Sequence, residues 1–133
     1  MTAITPGYSD HNSLPDSASR FVDVSVLPWK PTPTKGIEMK VLMEDIETGL
    51  LTALFRWQPG TELPLHEHVE IEQTYVLEGS IVDDEGEVLA GNYVWRPKGN
   101  RHIARAPEGA LVLSFFLKPN KFISGEIAGQ ELR

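Results

Sequence analysis

Short runs of residues in which apolar and polar side chains alternate recur along the chain, and glycine or proline separates them. The clearest early run covers residues 50–57, in which every second side chain from Leu51 onward is apolar, and Pro59 and Gly60 end it. A period of two places alternate side chains on opposite faces of an extended strand, so this run predicts a strand with one buried face. The same reasoning predicts further strands at residues 21–26, 37–43, 71–78, 81–82, 88–89, 93–95, 102–104 and 110–117. The sequence shows no long helical periodicity and no internal repeat, so an all-β sandwich or barrel is predicted.

The segments between these strands carry turn and loop signals. Residues 83–86, which are three acidic residues and a glycine, lie between two short strands and predict a hairpin with a loop longer than two residues. Three closely spaced prolines force an extended loop that carries Trp29. Residues 1–19 are mostly small, polar or turn-forming and are expected to be a flexible N-terminal arm, which leaves residues 20–133 as the domain. The tail from Pro119 is expected to close over the barrel as a turn or a brief helix.

Length and composition restrict the class of protein. A chain of 133 residues is one domain by size and is long enough to bury a core. Its net charge of −7 argues against a nucleic-acid partner, because such partners select basic surfaces. The chain contains no cysteine, which excludes disulfides and thiolate metal ligands. We see neither a signal peptide nor a stretch of membrane-helix length, so a cytoplasmic protein that does not bind membranes is expected.

Three of the four histidines fall within one frame that suits a metal ion. His66 and His68 are two apart, so they point to the same face of an extended chain, and Glu72 keeps that parity. His102 follows a Pro-x-Gly turn into the next strand, and two neighbouring strands would bring all four side chains together. Imidazole and carboxylate suit a borderline divalent ion such as Fe, Mn, Ni, Cu or Zn. The alternative is chance, because a strand histidine is more often a surface or core residue than a ligand.

Two longer motifs contain these four residues and resemble the two motifs of the cupin superfamily. The first motif, at residues 60–79, comprises Gly60, His66, His68, Glu72 and Gly79. The second, at residues 91–106, comprises Gly91, Pro97, Gly99 and His102, with Ala106 where the family has asparagine. The resemblance implies a single-domain cupin fold, which is a double-stranded β-helix or jelly-roll barrel. It also implies one divalent metal ion held by His66, His68, Glu72 and His102.

The flanking sequence narrows the resemblance to one branch of the superfamily. Residues 52–60, 75–79 and 91–97 are similar to the cupin domain of zinc-binding anti-sigma factors and to the dioxygenases that cleave acetylacetone or dihydroxyacetophenone. The dioxygenase resemblance implies a non-haem Fe(II) enzyme that uses O₂ to break a carbon–carbon bond in a small diketone or hydroxyketone. The anti-sigma resemblance implies a non-catalytic metal-binding sensor, although no room is expected for the extra helical domain that seizes a sigma factor. Metal-dependent isomerase or lyase chemistry, which is common among cupins, is a third alternative.

The role of Glu72 decides how open such a metal site is. With Glu72 bound, four protein ligands on a six-coordinate ion leave two adjacent positions for a chelating substrate, or for one substrate oxygen and O₂. With Glu72 off the ion, the carboxylate becomes a hydrogen-bond acceptor for a ligand and the site is more open. A tetrahedral Zn site with all four side chains would be closed and structural. Fe(II) is the favoured ion, with Zn, Mn or Ni as alternatives.

Residues outside the motifs give weaker signals. Arg56 lies on the strand face opposite the apolar side chains of residues 51–57. If that face is the barrel interior, Arg56 could bind an anionic substrate oxygen. Arg56 is therefore a candidate catalytic residue, together with Glu72 of the metal site. The alternative for Arg56 is a rim arginine paired with a carboxylate. Tyr75 and Trp95 could line the pocket, but aromatic residues on strands usually pack in cores or interfaces.

A homodimer is also expected from the sequence. The predicted strands at residues 21–26 and 37–43 would leave unpaired edges that need cover. These strands and Trp29 are therefore expected to contribute to the contact between two copies.

Overall fold

The computed structural model describes residues 2–123 and 129–131, which form β-strands almost throughout. The strands of these residues are β1 (Ala3–Ile4), β2 (Lys30–Pro31), β3 (Ile37–Asp45), β4 (Leu51–Trp57), β5 (Thr61–Glu67), β6 (Glu72–Val82), β7 (Glu87–Leu89), β8 (Tyr93–Arg96), β9 (Arg101–Ala106), β10 (Ala110–Phe116) and β11 (Lys121–Phe122). Two short 3-10 helices, Ser9–His11 and Val24–Val26, lie in the N-terminal part. The all-β prediction is confirmed. None of the described helices is long and apolar enough to cross a membrane.

The strands form one antiparallel sheet that curls on itself. Its order is β1-β3-β4-β10-β6-β9-β5-β11, with β2 beside β3 and with β7 and β8 beside β6. β6 belongs to both walls of the barrel, because its first half pairs with β8 and β10 and its last residues pair with β7 and β9. The predicted hairpin at residues 83–86 is present as the β6–β7 turn. The topology agrees with the jelly-roll barrel that the sequence predicts.

The bend within β6 depends on the last glycine of the first motif. The β6–β10 register shifts between Leu111 and Val112, next to Gly79. Gly79 has a φ of +73°, and a Cβ atom there would overlap the carbonyl oxygen of Gly109. A residue with a side chain would therefore be strained in its backbone and would also clash with the neighbouring turn.

The core fills the barrel interior and follows the alternation of the strands. On β4 the side chains of Leu51, Ala53, Phe55 and Trp57 are buried, as the sequence predicts. Phe55 meets Phe116 of β10 edge to face, with ring centroids 5.9 Å apart. Each large apolar side chain buried in this way stabilises the fold by about 1.5–3 kcal/mol.

The strand predicted at residues 21–26 is wrong. Phe21 is 84% exposed, and Val24–Val26 form a 3-10 helix. The Asp23 carboxylate accepts hydrogen bonds from the backbone N–H and the hydroxyl of Ser25, and such local bonds compete with strand pairing. The alternating pattern of this segment is therefore outweighed by a side chain that caps a turn.

The edge expected at residues 37–43 is also largely covered. β3 pairs with β2 at Glu38 and Met39 and with β1 at Glu44 and Asp45. The Thr5 hydroxyl donates a hydrogen bond to the Leu42 carbonyl between these two contacts. The unpaired edges that suggested a homodimer are therefore mostly absent from the fold.

Both ends of the chain lie against the barrel where they are described. Residues 2–5 of the predicted N-terminal arm contact β3, while the mobility expected for residues 1–19 stays a prediction. At the other end, β11 pairs with β5, so the tail does close over the barrel at this point. It does so as a strand there, and residues 124–128 and 132–133 lie outside the described residues.

Candidate metal centre

Two neighbouring strands bring the three histidines together. His66 on β5 and His102 on β9 are direct cross-strand partners, and His68 lies just after the end of β5. The His68 N–H donates to the Asn100 carbonyl, and the Gly99 N–H donates to the His68 carbonyl, each at 2.8 Å. These two bonds fix the end of β5 against the Pro-x-Gly turn, which explains why the two motifs meet.

The three imidazoles form one buried cluster, as predicted. Their ring centroids are 4.4–5.0 Å apart, and their candidate ligand atoms all lie within 4.8 Å of one another. His66, His68 and His102 are each at most 5% exposed. Among the described residues, these three are the group that could hold a metal ion, and Glu72 is outside it.

Each histidine has its Nδ1 atom next to an oxygen. Nδ1 of His66 lies 2.8 Å from the Pro64 carbonyl oxygen, and Nδ1 of His102 lies 2.7 Å from Asp83 Oδ2. Nδ1 of His68 lies 2.9 Å from Glu72 Oε2, although its direction falls outside good hydrogen-bond alignment. An oxygen acceptor requires a proton on Nδ1, which leaves Nε2 as the free ligand atom of each ring.

The free Nε2 atoms fit a cation. Nε2 of His68 and Nε2 of His102 are 3.0 Å apart. Two lone pairs at this distance repel each other unless a positive charge, either a proton or a metal ion, lies between them. Two nitrogens bound about 2.1 Å from one ion and at right angles are about 3.0 Å apart, so the pair suits ligation of a single divalent ion.

Burial keeps these ligands available to a metal. Burial, followed by the effect of the neighbouring His102, lowers the pKa of His66 to about 3. Burial also lowers the pKa of His102, with a further contribution from the positive charge of Arg96. Both rings are therefore neutral at neutral pH, which is the form that binds metals.

Glu72 is held in a polar network beside the cluster. Its Oε1 accepts a 2.6 Å bond from the Thr74 hydroxyl, which also bonds Ser114, and its Oε2 accepts a 3.2 Å bond from the Asn120 amide. Burial raises the pKa of Glu72, but contact with His68 and the bonds from Thr74 and Asn120 outweigh it and lower that pKa. The carboxylate is therefore ionised, and this geometry matches the alternative in which Glu72 orients His68 instead of binding the ion.

Asp83 was missed by the sequence reasoning. It follows β6 at the start of an acidic hairpin loop, yet its side chain is only 3% exposed. Its Oδ2 accepts bonds from His102 Nδ1 at 2.7 Å and from Arg96 Nη1 at 2.8 Å. Burial raises the pKa of Asp83, but the charge of Arg96 and the bond from His102 outweigh it and lower that pKa. The only sequence signal was its position, since the first residue of a hairpin loop lies close to the neighbouring strand.

A small and mainly apolar cavity adjoins the cluster. Its volume is about 50 Å³, room for a few water molecules. Its walls include side chains from eight strands and the segment before β11, among them Phe55, Leu63, Val94, Phe116, His66, His102, Glu72 and Asn120. A bound ion would therefore face a confined, mainly apolar space that accepts only a small molecule.

Arg56 and the two aromatic candidates do not reach this cavity. The Arg56 guanidinium carbon lies 4.2 Å from the centre of the Trp29 ring, and its Nη2 lies 2.8 Å from Glu38 Oε1. Its side chain is 42% exposed on the outer face, so the condition for a catalytic role is not met. Tyr75 and Trp95 are 42% and 56% exposed on the outer face of β6 and β8, so neither lines the pocket. The apolar side chains of β4 take the interior, which forces Arg56 outward.

The fold is that of the cupin class, with a buried histidine cluster that could hold a metal ion, and the comparisons with known proteins agree with this fold. The family described as the ChrR cupin-like domain matches residues 17–121, which is most of the chain. The chain therefore belongs to this family. No curated protein sequence matches the chain.

Solved structures show the same fold at low sequence identity. A provisionally assigned acetylacetone dioxygenase from Methylibium petroleiphilum is 24% identical with a TM-score of 0.75, covering 86% of this chain and 88% of its own. An acetylacetone dioxygenase from Acinetobacter johnsonii is 21% identical with a TM-score of 0.76, covering 90% and 88%. The Rhodobacter sphaeroides complex of SigE with the anti-sigma ChrR is 21% identical with a TM-score of 0.60, covering 70% and 51%. The similar structures thus include both acetylacetone dioxygenases and an anti-sigma protein, the two kinds of protein that the sequence resembles.

Proposed function

We propose that the chain binds one divalent metal ion through Nε2 of three histidines and, with Fe(II), acts as a dioxygenase on a small β-diketone or hydroxyketone. The observation that carries the proposal is the cluster of His66, His68 and His102, each with Nδ1 next to an oxygen and Nε2 free. Three protein ligands leave open positions on a six-coordinate ion, which a chelating substrate and O₂ both require. The dioxygenases among the similar structures support the choice of substrate class.

The reaction balances with O₂ as the only oxidant. One carbon–carbon bond of the enolised diketone breaks, and both atoms of O₂ enter the products, one into a carboxylic acid and the other into a dicarbonyl compound. A bound Fe(II) ion would supply a Lewis acid for the two substrate oxygens and electrons for O₂. Zn has no redox chemistry and would not support this step.

The side chains around the cavity have separate tasks in this proposal. Glu72 orients His68, and Asp83 orients His102, so that both rings keep a fixed direction. The apolar wall that includes Phe55 and Phe116 excludes water from the reacting carbon. Arg56 has no role in this reaction, because its side chain lies on the outer face of the barrel.

Asn120 is suited to bind the substrate. It is 2% exposed, its Nδ2 donates to Glu72, and its Oδ1 has no hydrogen-bond partner among the described residues. A buried acceptor without a partner costs about 1–3 kcal/mol, which an enol hydroxyl in the cavity would recover. Asn120→Leu should therefore raise KM for the diketone severalfold while the metal content stays near that of the wild type.

A second candidate function is a non-catalytic metal-binding sensor, and the match to the ChrR cupin-like family favours it. In that case Glu72 would leave its network and complete a closed tetrahedral Zn site with the three histidines. Glu72→Gln separates the two candidates. In the sensor it should lose Zn as severely as a histidine variant does, whereas in the dioxygenase it should keep Fe(II) with a modest loss of affinity.

The direct test uses an oxygen electrode with the full chain loaded with Fe(II), and with the Zn-loaded chain as the control. We expect O₂ consumption with at least one small β-diketone or hydroxyketone for the Fe(II) protein and none for the Zn protein. A flat trace with Fe(II) confirmed in place would contradict the dioxygenase. Conversion of substrate without O₂ uptake would identify the isomerase or lyase alternative instead. The cytoplasmic location stays a prediction, which cell fractionation tests.

A further inference from the structure

A chain of hydrogen bonds leads from the wall of the cavity to Glu72. Ser114, Thr74 and Glu72 all line the cavity, and each residue is at most 9% exposed. The Thr74 hydroxyl donates a 2.6 Å bond to Glu72 Oε1, and Thr74 Oγ1 lies 2.8 Å from Ser114 Oγ. The register of β6 and β10 places Ser114 directly opposite Thr74, so the pairing of these two strands builds the chain of bonds.

The direction of these bonds follows from the number of hydrogens. A hydroxyl has one hydrogen, and that of Thr74 is used in the bond to Glu72. The hydrogen between the two hydroxyls therefore belongs to Ser114, so Ser114 donates and Thr74 accepts. Ser114 Oγ then has no hydrogen left for a ligand, but it keeps lone pairs. To a molecule in the cavity, Ser114 is therefore an acceptor only.

Asn120 supplies a second acceptor on the other side of the same carboxylate. Its Nδ2 donates a 3.2 Å bond to Glu72 Oε2, which fixes the orientation of the amide. Its Oδ1 is buried and has no hydrogen-bond partner among the described residues. Glu72 therefore positions two acceptors at the cavity wall, Asn120 Oδ1 directly and Ser114 Oγ through Thr74.

Two other hydrogen-bond donors of the cavity wall are remote or already bound. Trp57 Nε1 is buried without a partner among the described residues. Trp57 is four residues along β4 from Ala53, the cross-strand partner of Ser114, which is roughly 13 Å at about 3.3 Å per residue. Arg96 Nη1 donates to Asp83 Oδ2. The region around the two acceptors therefore favours a ligand that brings its own donors.

The two acceptors distinguish between ligands of the proposed function, on which this inference rests. The enol of a β-diketone has one hydroxyl hydrogen and its enolate has none, so at least one acceptor would stay without a partner. A ketone with two hydroxyl groups supplies a hydrogen to each acceptor. A hydroxyl oxygen can bind a metal ion through a lone pair and still donate its hydrogen, so the two contacts are compatible.

We propose that Ser114 Oγ and Asn120 Oδ1 form a subsite for two hydroxyl groups, and that the cavity binds a small dihydroxyketone in preference to a β-diketone. Thr74 is a positioning residue, because its bond to Glu72 makes Ser114 present lone pairs to the cavity. A site built for a hydroxyl discriminates against an analogue without one, since the buried acceptor is then left unpaired.

Isothermal titration calorimetry of the Zn-loaded full chain tests the proposal without turnover, because Zn has no redox chemistry. The probes are dihydroxyacetone, acetylacetone and diethyl ketone, in which methyl groups replace the two hydroxyls of dihydroxyacetone. We expect dihydroxyacetone to bind at least about tenfold more tightly than either of the other two compounds. Elemental analysis confirms that each protein sample contains its metal.

Three variants separate the subsite from a general effect on the fold. Ser114→Ala should weaken binding of dihydroxyacetone about tenfold or more and change that of acetylacetone less than about twofold. Thr74→Val frees the Ser114 hydrogen to point at a ligand, so it should weaken dihydroxyacetone and strengthen acetylacetone. Ser80→Ala is the matched control, because Ser80 is a buried serine that does not line the cavity, and it should leave both affinities unchanged.

Equal weakening of both ligands by Ser114→Ala would overturn the proposal, because Ser114 would then support only the fold. Acetylacetone bound more tightly than dihydroxyacetone by the wild type would also overturn it, as would no binding of dihydroxyacetone by fully loaded protein. The oxygen electrode measures turnover separately. Selective binding with a flat oxygen trace would retain the subsite and remove the dioxygenase, whereas O₂ uptake without this selectivity would retain the dioxygenase and remove the subsite.

Discussion

Asp83→Asn isolates the contribution of a buried carboxylate to metal affinity. Asp83 Oδ2 accepts the His102 Nδ1–H at 2.7 Å, and Asp83 Oδ1 accepts the backbone N–H groups of Glu85 and Gly86 at 2.9 and 3.0 Å. An asparagine has the same shape and keeps one oxygen, so the loop can still form. The charge is lost, and with it the strong acceptor that makes the His102 ring a better ligand.

The expected magnitude follows from the role of such acceptors. Removing the carboxylate partner of a ligand histidine lowers metal affinity about 10–100-fold, or about 1.4–2.7 kcal/mol. The variant also leaves the buried charge of Arg96 without its Asp83 partner. The other carboxylate near Arg96 is that of Glu85, whose Oε1 is 3.8 Å from Arg96 Nη1. Losing one partner of a buried ion pair destabilises a fold by about 3–5 kcal/mol. The double variant Asp83→Asn with Arg96→Met should recover stability without recovering metal affinity.

Competition with a chelator of known affinity measures the metal dissociation constant of each variant. Asp84→Asn is the matched control, because Asp84 is the next residue in the same loop and is exposed. We expect its affinity to equal that of the wild type. If Asp83→Asn bound metal as tightly as Asp84→Asn does, the idea that Asp83 supports a ligand would be refuted.

Three further predictions concern the remaining residues of the account. Alanine in place of His66, His68 or His102 should remove most of the bound metal, as measured by elemental analysis. Near-stoichiometric metal in all three variants would contradict the site. Metal-free protein should lose stability as pH falls from about 6.5 to about 3, because unfolded His66 binds a proton in this window and the folded residue does not. At 1.36 kcal/mol per pKa unit, the loss of unfolding free energy is at most about 5 kcal/mol. Urea unfolding should show a smaller loss in His66→Gln and an unchanged loss in the surface variant His11→Gln. Arg56→Gln should change O₂ uptake by less than about twofold and stability by less than about 1 kcal/mol, and a large loss of uptake would restore its catalytic role.

The sequence predicts the barrel and the histidine cluster well because both depend on local patterns. Alternation on β4 gives the buried face directly, and the short spacing of His66 and His68 puts two imidazoles on one side of β5. The failed strand at residues 21–26 has the same alternation, but a single hydrogen-bonding side chain, Asp23, turns the backbone instead. Alternation alone does not show whether strand pairing or a local side-chain hydrogen bond determines the backbone conformation.

The partners of the ligands were harder to predict because they depend on distant contacts. Asp83 is 19 residues before His102 and was indistinguishable from its solvated acidic neighbours. Asn120 is 48 residues after Glu72, and the sequence between them contains four strands. The aromatic side chains of β6 and β8 were identified, but which face they occupy depends on the register of the whole sheet. Such contacts become visible only when the strands are placed in three dimensions.

The central claim, one ion on three imidazoles, is tested most directly by anomalous diffraction from crystals of the Fe(II)-loaded protein grown without oxygen. We expect a single strong peak per chain, bound by Nε2 of His66, His68 and His102 at about 2.0–2.2 Å, with Glu72 still bonded to Thr74 and Asn120. A peak ligated by Glu72 would convert the site into the four-ligand alternative. A peak elsewhere, or no peak with stoichiometric iron in the sample, would contradict the metal centre itself.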